Sequence, residues 1–183
     1  MDFNKIVKWG KSALRVFKYK VRYRNQLKFD CSKSRKPVYF GKGVDISIDK
    51  DCSLQIGGGT YLSDNCRIVV MDSSNPAVIG SKNYFGMGCR IVLRAAFQMG
   101  DGNLVADNVS IYDHNHDYKG CNGGFVSKAI EIGNNCWLAT NVVVTAGSKI
   151  ENRVIVGANS VVGGKLESNS LYVAPRASRI MKL

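Results

Sequence analysis

The sequence predicts an all-β fold: a parallel coil of very short strands with three sides to each turn, an amphipathic α-helix in front and a short tail behind. Two observations predict the coil: a strict six-residue recurrence of aliphatic residues, and Gly, Asn and Asp at the joints between repeats. A third predicts a separate N-terminal element. Residues 1–37 carry 12 Lys/Arg against 2 Asp, whereas residues 38–183 carry 14 Lys/Arg against 12 Asp/Glu. The net charge of +12 and the pI of 9.6 therefore describe a basic arm on a nearly neutral body.

The 183 residues suffice for one domain with a core and are few for two. An apolar content of 45% with 22% charged residues excludes disorder along the whole length. No apolar run approaches the ~20 residues that span a bilayer. No uninterrupted apolar segment follows the basic N-terminus, so no secretory signal is expected. The six cysteines show no CxxC spacing and are expected as reduced thiols in the cytoplasm. With two histidines, His114 and His116, one chain cannot build a three-histidine metal site, and no metal is expected.

The first element lies within residues 3–24. Phe3, Ile6, Val7, Gly10, Ala13, Leu14, Phe17 and Val21 recur at helical spacings of three and four. Lys5, Lys8, Lys11, Arg15, Lys18 and Arg22 recur at the same spacing on roughly the opposite face, and Trp9, Tyr19 and Tyr23 suit an interface. Such a helix reads as binding a membrane surface or as docked on the protein's own oligomer. Nucleic acid is the generic partner of basic arms but is not expected here.

The coil follows over residues 38–166. Phe40 and Ile46 open it less regularly. Then come Ile56, Leu62 and Ile68; Ile79, Phe85 and Ile91; Met99, Val105 and Ile111. From Val126 the chain divides every six residues at Val126, Ile132, Leu138, Val144, Ile150, Val156 and Val162, with a small or aliphatic residue four positions after each. Helical spacing does not fit this period. Short strands with alternating side chains do. Asp64-Asn65, Asp107-Asn108 and Asn134-Asn135 suit corners, because these residues tolerate left-handed backbone. Residues 167–183 form the tail.

The pattern [LIV]-[GA]-x-x-[small/V]-x over roughly residues 40–166 resembles that of the hexapeptide-repeat acyltransferases, whose fold is a left-handed parallel β-helix. The left hand comes from the resemblance, since crossovers are ordinarily right-handed. Tyr112-Asp113-His114-Asn115-His116-Asp117-Tyr118 interrupts the repeat within a loop, residues 112–125. It is similar to the DHNH stretch of the maltose/galactoside and polysaccharide O-acetyltransferase branch. That resemblance implies that His116 deprotonates an acceptor hydroxyl. A histidine titrating near ~6.5 suits this task. Asp113, Asp117 or a backbone carbonyl are open as the group that orients His116, with His114 and Asn115 beside the acceptor.

Ile132–Ala139 and Val156–Val162 resemble the family elements that line an acetyl-CoA groove. By that resemblance Trp137 packs beside the reaction centre, and Ala139, Thr145, Ala146 and Ala158 present backbone to the pantetheine arm. Ala174–Ile180 resembles the family's ending, with Ala174 where glycine is usual and the proline displaced by one position. Lys165, Arg176 and Arg179 are candidates for the CoA phosphates. The resemblance thus implies an acetyl-CoA-dependent sugar O-acetyltransferase working as a homotrimer, with a bacterial surface glycan or its lipid-linked precursor as acceptor. It also implies a place in the cytoplasm, peripheral on the inner face of the membrane. The rival readings are an N-acetyltransferase on an amino-sugar nucleotide and a non-catalytic β-helix scaffold or membrane adaptor.

Overall fold

A computed structural model describes residues 3–72, 76–120 and 123–174. The six-residue rows become the inner surface of a triangular prism. Its first face stacks Leu27–Asp30, Leu54–Gly57, Ala77–Ile79, Phe97–Met99, Ile130–Ile132, Lys149–Ile150 and Lys165–Leu166. The second stacks Tyr39–Phe40, Tyr61–Leu62, Tyr84–Phe85, Leu104–Val105, Trp137–Leu138, Ile155–Val156 and Leu171–Tyr172. The third stacks Asp45–Ile48, Arg67–Val70, Arg90–Leu93, Ser110–Tyr112, Val143–Val144 and Val161–Val162. Every pairing between neighbours in these three faces is parallel. Each backbone group in a strand thus finds its partner in the turn above or below.

Register places like on like. Ile56, Ile79, Met99, Ile132, Ile150 and Leu166 form one inward column. Leu62, Phe85, Val105, Leu138 and Val156 form the second, and Ile68, Ile91, Ile111, Val144 and Val162 the third. All of these side chains are buried. So are the residues four positions on: Ile130, Cys136, Val142, Ser148, Val154, Ser160 and Leu166.

The corners turn through left-handed residues. Asn65, Asn108 and Asn135 have φ of 60°, 58° and 55°. Side-chain caps run from corner to corner. The amides of Lys42 and Met87 donate to Asp64 Oδ1 and Asp107 Oδ1, at 2.8 and 2.7 Å.

Two boundaries differ from the sequence expectation. Leu27–Asp30 pairs in parallel with Leu54–Gly57, so the coil starts inside the segment read as arm. Leu171–Tyr172 pairs with Ile155–Val156, so it continues past residue 166. The repeat signal is weak there because these edge turns need an apolar pattern on one side only. Val126 also departs from expectation. It is 49% exposed and pairs antiparallel with Asn115, so the inward rows resume at Ile130 and Ile132. Val126 had fitted by spacing alone.

The helix α1 (Phe3–Arg22) seals the open first turn. The Phe40 amide donates to Ser12 Oγ at 2.8 Å, Arg15 donates to the Phe40 carbonyl at 3.1 Å, and Tyr19 Oη donates to the Val44 carbonyl at 2.9 Å. Ser12, Tyr19 and Tyr23 are buried, and Trp9 meets Tyr39 edge-on. Terminal turns of a stacked repeat need such a cap. Ser12→Ala strands the buried Phe40 amide, so it is expected to cost about 1–3 kcal/mol, read as a lower urea midpoint; an unchanged midpoint would show that the cap bond contributes nothing.

Candidate functional site

The interruption of the repeat is an antiparallel hairpin, His114–His116 against Phe125–Ser127, rising from the corner between the third and first faces. Alternation puts His114, His116, Phe125 and Ser127 on one side of the hairpin and Asn115 and Val126 on the other. Its root is fixed by Asp113, whose side chain is fully buried. The Arg94 amide donates to both carboxylate oxygens at 2.8 and 2.9 Å, and the Ala95 amide donates at 2.6 Å. His114 Nδ1 lies 3.0 Å from Asp113 Oδ1. A carboxylate only accepts, so His114 donates from Nδ1.

Of the three groups left open to orient His116, Asp113 takes its hydrogen bond from His114 instead. The cause is geometric, because Asp113 still lies in the prism corner while His116 has moved out along the hairpin. The carboxylate satisfies the corner turn above it, and the neighbouring ring takes its remaining acceptor site.

The Arg94 guanidinium stacks 3.7 Å from the Phe125 ring centroid and pairs with Asp72. The Phe125 ring contacts both histidines, at centroid distances of 5.5 Å to His114 and 4.6 Å to His116. His114 is half-buried and His116 exposed. Sequence reasoning missed Arg94, Asp72 and Phe125. Spacing did not mark them: the corner bearing Arg94, eight residues from Ile91 to Met99, is shorter than the same corner one turn earlier, eleven residues from Ile68 to Ile79.

His116 contributes to a cleft of about 360 Å³, lined also by Asn115, Asp117, Tyr118, Lys119, Val126, Lys128 and Ala146. Of the residues assigned by resemblance, the cleft unites His116, Asn115 and Ala146. Thr145 stands next to Ala146, with its Oγ1 donating to the Val162 carbonyl at 2.9 Å.

The remaining assignments lie elsewhere in the chain. Trp137 is on the outer surface of the second face, 45% exposed and in register with Leu104 and Ile155. Ala139 and Ala158 occupy the corner between the second and third faces. Lys165 is on the first face, held by Glu151 and Glu167 at 3.0 Å each, and two carboxylates oppose its use on a phosphate. Arg176 and Arg179 lie outside the described residues.

Comparison with known proteins identifies this scaffold. The family described as bacterial transferase hexapeptide (six repeats) matches residues 129–164. A protein of Escherichia coli (strain K12) named as a lipopolysaccharide biosynthesis O-acetyl transferase, WbbJ, is 32% identical over 181 residues, which span 89% of this chain and 82% of that one. The chain belongs to the hexapeptide-repeat acetyltransferases.

It is an acyltransferase whose coil is the left-handed parallel β-helix of that family. Two solved structures share the fold. A mutant of AntD, an N-acyltransferase from Bacillus cereus in complex with dTDP and coenzyme A, covers 85% of this chain and 83% of its own, at 16% identity and a TM-score of 0.67. The hexapeptide-repeat acetyltransferase VCA0836 from Vibrio cholerae O1 biovar eltor, complexed with acetyl coenzyme A, covers 87% and 73%, at 20% identity and a TM-score of 0.54.

Two outcomes test this description. Asp113→Ala leaves the half-buried Arg94 and Ala95 amides without their acceptor, so it is expected to cost about 2 kcal/mol and to speed amide exchange at residues 94 and 95; unchanged exchange there would contradict the hairpin root. Lys165 and the Ser168 hydroxyl and amide hold the Glu151 carboxyl down at about 2, from an ordinary 4.5. A depressed carboxyl stabilises the fold above its unfolded value, and that contribution is lost as pH falls through its folded value. Acid titration of stability is therefore expected to be shallower in Glu151→Gln between about pH 4.5 and about pH 2, and a profile identical to wild type would contradict the assignment.

Proposed function

We propose that the protein transfers an acetyl group from acetyl-CoA to a sugar hydroxyl, with His116 as general base and a glycan as acceptor. The observation that carries this reading is His116 itself, exposed and lining a cleft together with the small corner residue Ala146. The relatives named above support the donor and the acceptor class: WbbJ is named as a lipopolysaccharide biosynthesis O-acetyl transferase, and the VCA0836 structure holds acetyl coenzyme A.

In the proposed reaction an imidazole nitrogen of His116 takes the proton of the acceptor hydroxyl as its oxygen bonds to the thioester carbonyl carbon. The tetrahedral oxyanion needs a donor, for which the Ala146 amide is our candidate. The carbon–sulfur bond then breaks, and the thiolate leaves with the proton returned by His116. Phe125 packs against the His116 ring and limits its rotation. Small residues at 145 and 146 let a thioester approach the backbone.

The same proposal includes a homotrimer. Trp137, Ala139 and Ala158, assigned to the donor groove, are absent from the cleft of their own chain. A neighbouring copy is the means of bringing them to it. The outer column Tyr84, Leu104, Trp137, Ile155 and Leu171 is apolar and exposed along the second face, which fits burial against another copy. A place for the protein at the inner face of the membrane completes the proposal.

Calorimetric titration with acetyl-CoA is expected to show saturable binding by both wild type and His116→Ala. With a sugar acceptor, His116→Ala is expected to lower kcat by about 10²–10⁴ with little change in donor affinity. Absence of donor binding at millimolar acetyl-CoA, or full activity of the variant, would overturn the assignment.

A further inference from the structure

The docked helix shows an arrangement opposite to that of an ordinary surface helix. It faces the protein with Ser12, Val16 and Tyr19, continued by Tyr23 just past its end, a mixed polar and aromatic row in which the Ser12 and Tyr19 hydroxyls bond the end of the coil. Its aliphatic row faces outward. Leu14 is 71% exposed, Phe17 65% and Val21 62%, with Val7 and Ile6 continuing the stripe. The buried and exposed rows lie on opposite sides of α1 at 100° per residue. The outward face is therefore the more apolar of the two, and within the described chain nothing covers it.

The charge pattern identifies the occupant. The helix carries seven Lys/Arg and no acidic residue. Lys8 lies over the Tyr39 and Tyr61 rings and Arg15 bonds the Phe40 carbonyl. Lys11, Lys18 and Arg22 flank the stripe on one side and Lys20 on the other, all exposed. A second copy of this helix would bring the same cations against these with no carboxylate to pair them. An anionic lipid surface supplies both an apolar layer for the stripe and negative headgroups for its flanks.

We propose that α1 is a membrane-contact helix: Leu14, Phe17 and Val21 enter the interfacial layer of an anionic bilayer while Lys11, Lys18, Lys20 and Arg22 meet its headgroups. Because α1 caps the first turn, the prism then stands end-on to the bilayer. The histidine hairpin follows the fourth strand of the third face, three strand spacings from the first. At ~4.8 Å per spacing, with ~10 Å for the helix itself, His116 lies about 25 Å from the lipid surface. Resting on the acetyl-transfer reading, this makes the acceptor a membrane-anchored glycan that extends several sugars from its lipid.

The test uses the full chain and co-sedimentation with vesicles of phosphatidylcholine, with and without phosphatidylglycerol. Wild type is expected to sediment only with phosphatidylglycerol, and less as salt rises. Leu14→Glu combined with Phe17→Glu is expected to weaken sedimentation about tenfold or more while leaving the thermal midpoint and acetyl-CoA binding unchanged, since both side chains are exposed. Lys11→Glu combined with Lys18→Glu is expected to do the same through charge. Wild type remaining in the supernatant, or the apolar variant sedimenting like wild type, overturns the proposal. So does a fall in the solution mass of the assembly on changing Leu14 and Phe17, which would assign the stripe to a second copy. Vesicle binding without acetyl-CoA binding would overturn the acetyl-transfer reading and leave the membrane contact standing.

Discussion

Parallel hydrogen bonding between successive turns is the interaction on which the rest of this molecule depends. Among the described residues no strand has more than four residues, and many have two. Such strands have no stability of their own. They persist because each turn repeats the one above it, so that amides and carbonyls pair along the axis and aliphatic side chains pile into continuous columns. That registry demands a tight corner every six residues. Asn or Gly in the left-handed region supplies it at most corners, and Lys82 and Arg153 do so at two, with Asp and Asn side chains capping amides of the preceding turn.

A stack of this kind has two vulnerable places, its ends and any break in the repeat. At the N-terminal end the unpaired edge of Phe40 and Val44 is met by Ser12, Arg15 and Tyr19, so α1 acts as a lid on the core. At the break the chain leaves the prism at Asp113 and returns at Ile130. The buried Asp113 carboxylate restores the backbone bonds that the departing strand no longer supplies to Arg94 and Ala95. The root that satisfies the corner also holds His114, which steadies the hairpin carrying His116. Rigidity of the scaffold and placement of His116 are therefore one problem with one solution.

Distribution of function over the surface follows from the prism's geometry. The hairpin occupies the corner between the third and first faces, the outer apolar column occupies the second face, and α1 occupies an end. These surfaces point in different directions, so the membrane contact proposed for α1 leaves the hairpin and the second face free.

The inward rows were legible in the sequence because a period of six leaves no other face for aliphatic residues to share. The corners were legible because few residues accept left-handed backbone. Conspicuous too was the break at Tyr112–Tyr118, where both histidines fall in one interruption. Spacing misled at Val126, which continues the period yet lies on the hairpin, since a period does not say where pairing changes from parallel to antiparallel. Only the tertiary structure decided that Asp113 serves His114, that Arg94 and Phe125 stack beside His116, and that Lys165 is neutralised by Glu151 and Glu167. Arg94 with Phe125 and Lys165 with Glu151 join residues a turn or more apart, and even the adjacent Asp113 and His114 meet only because of how the corner loops are stacked. It also decided which side of α1 meets the protein. A helical pattern shows that two faces differ, whereas the end of the coil, with backbone groups to satisfy, selected the face that carries hydroxyls.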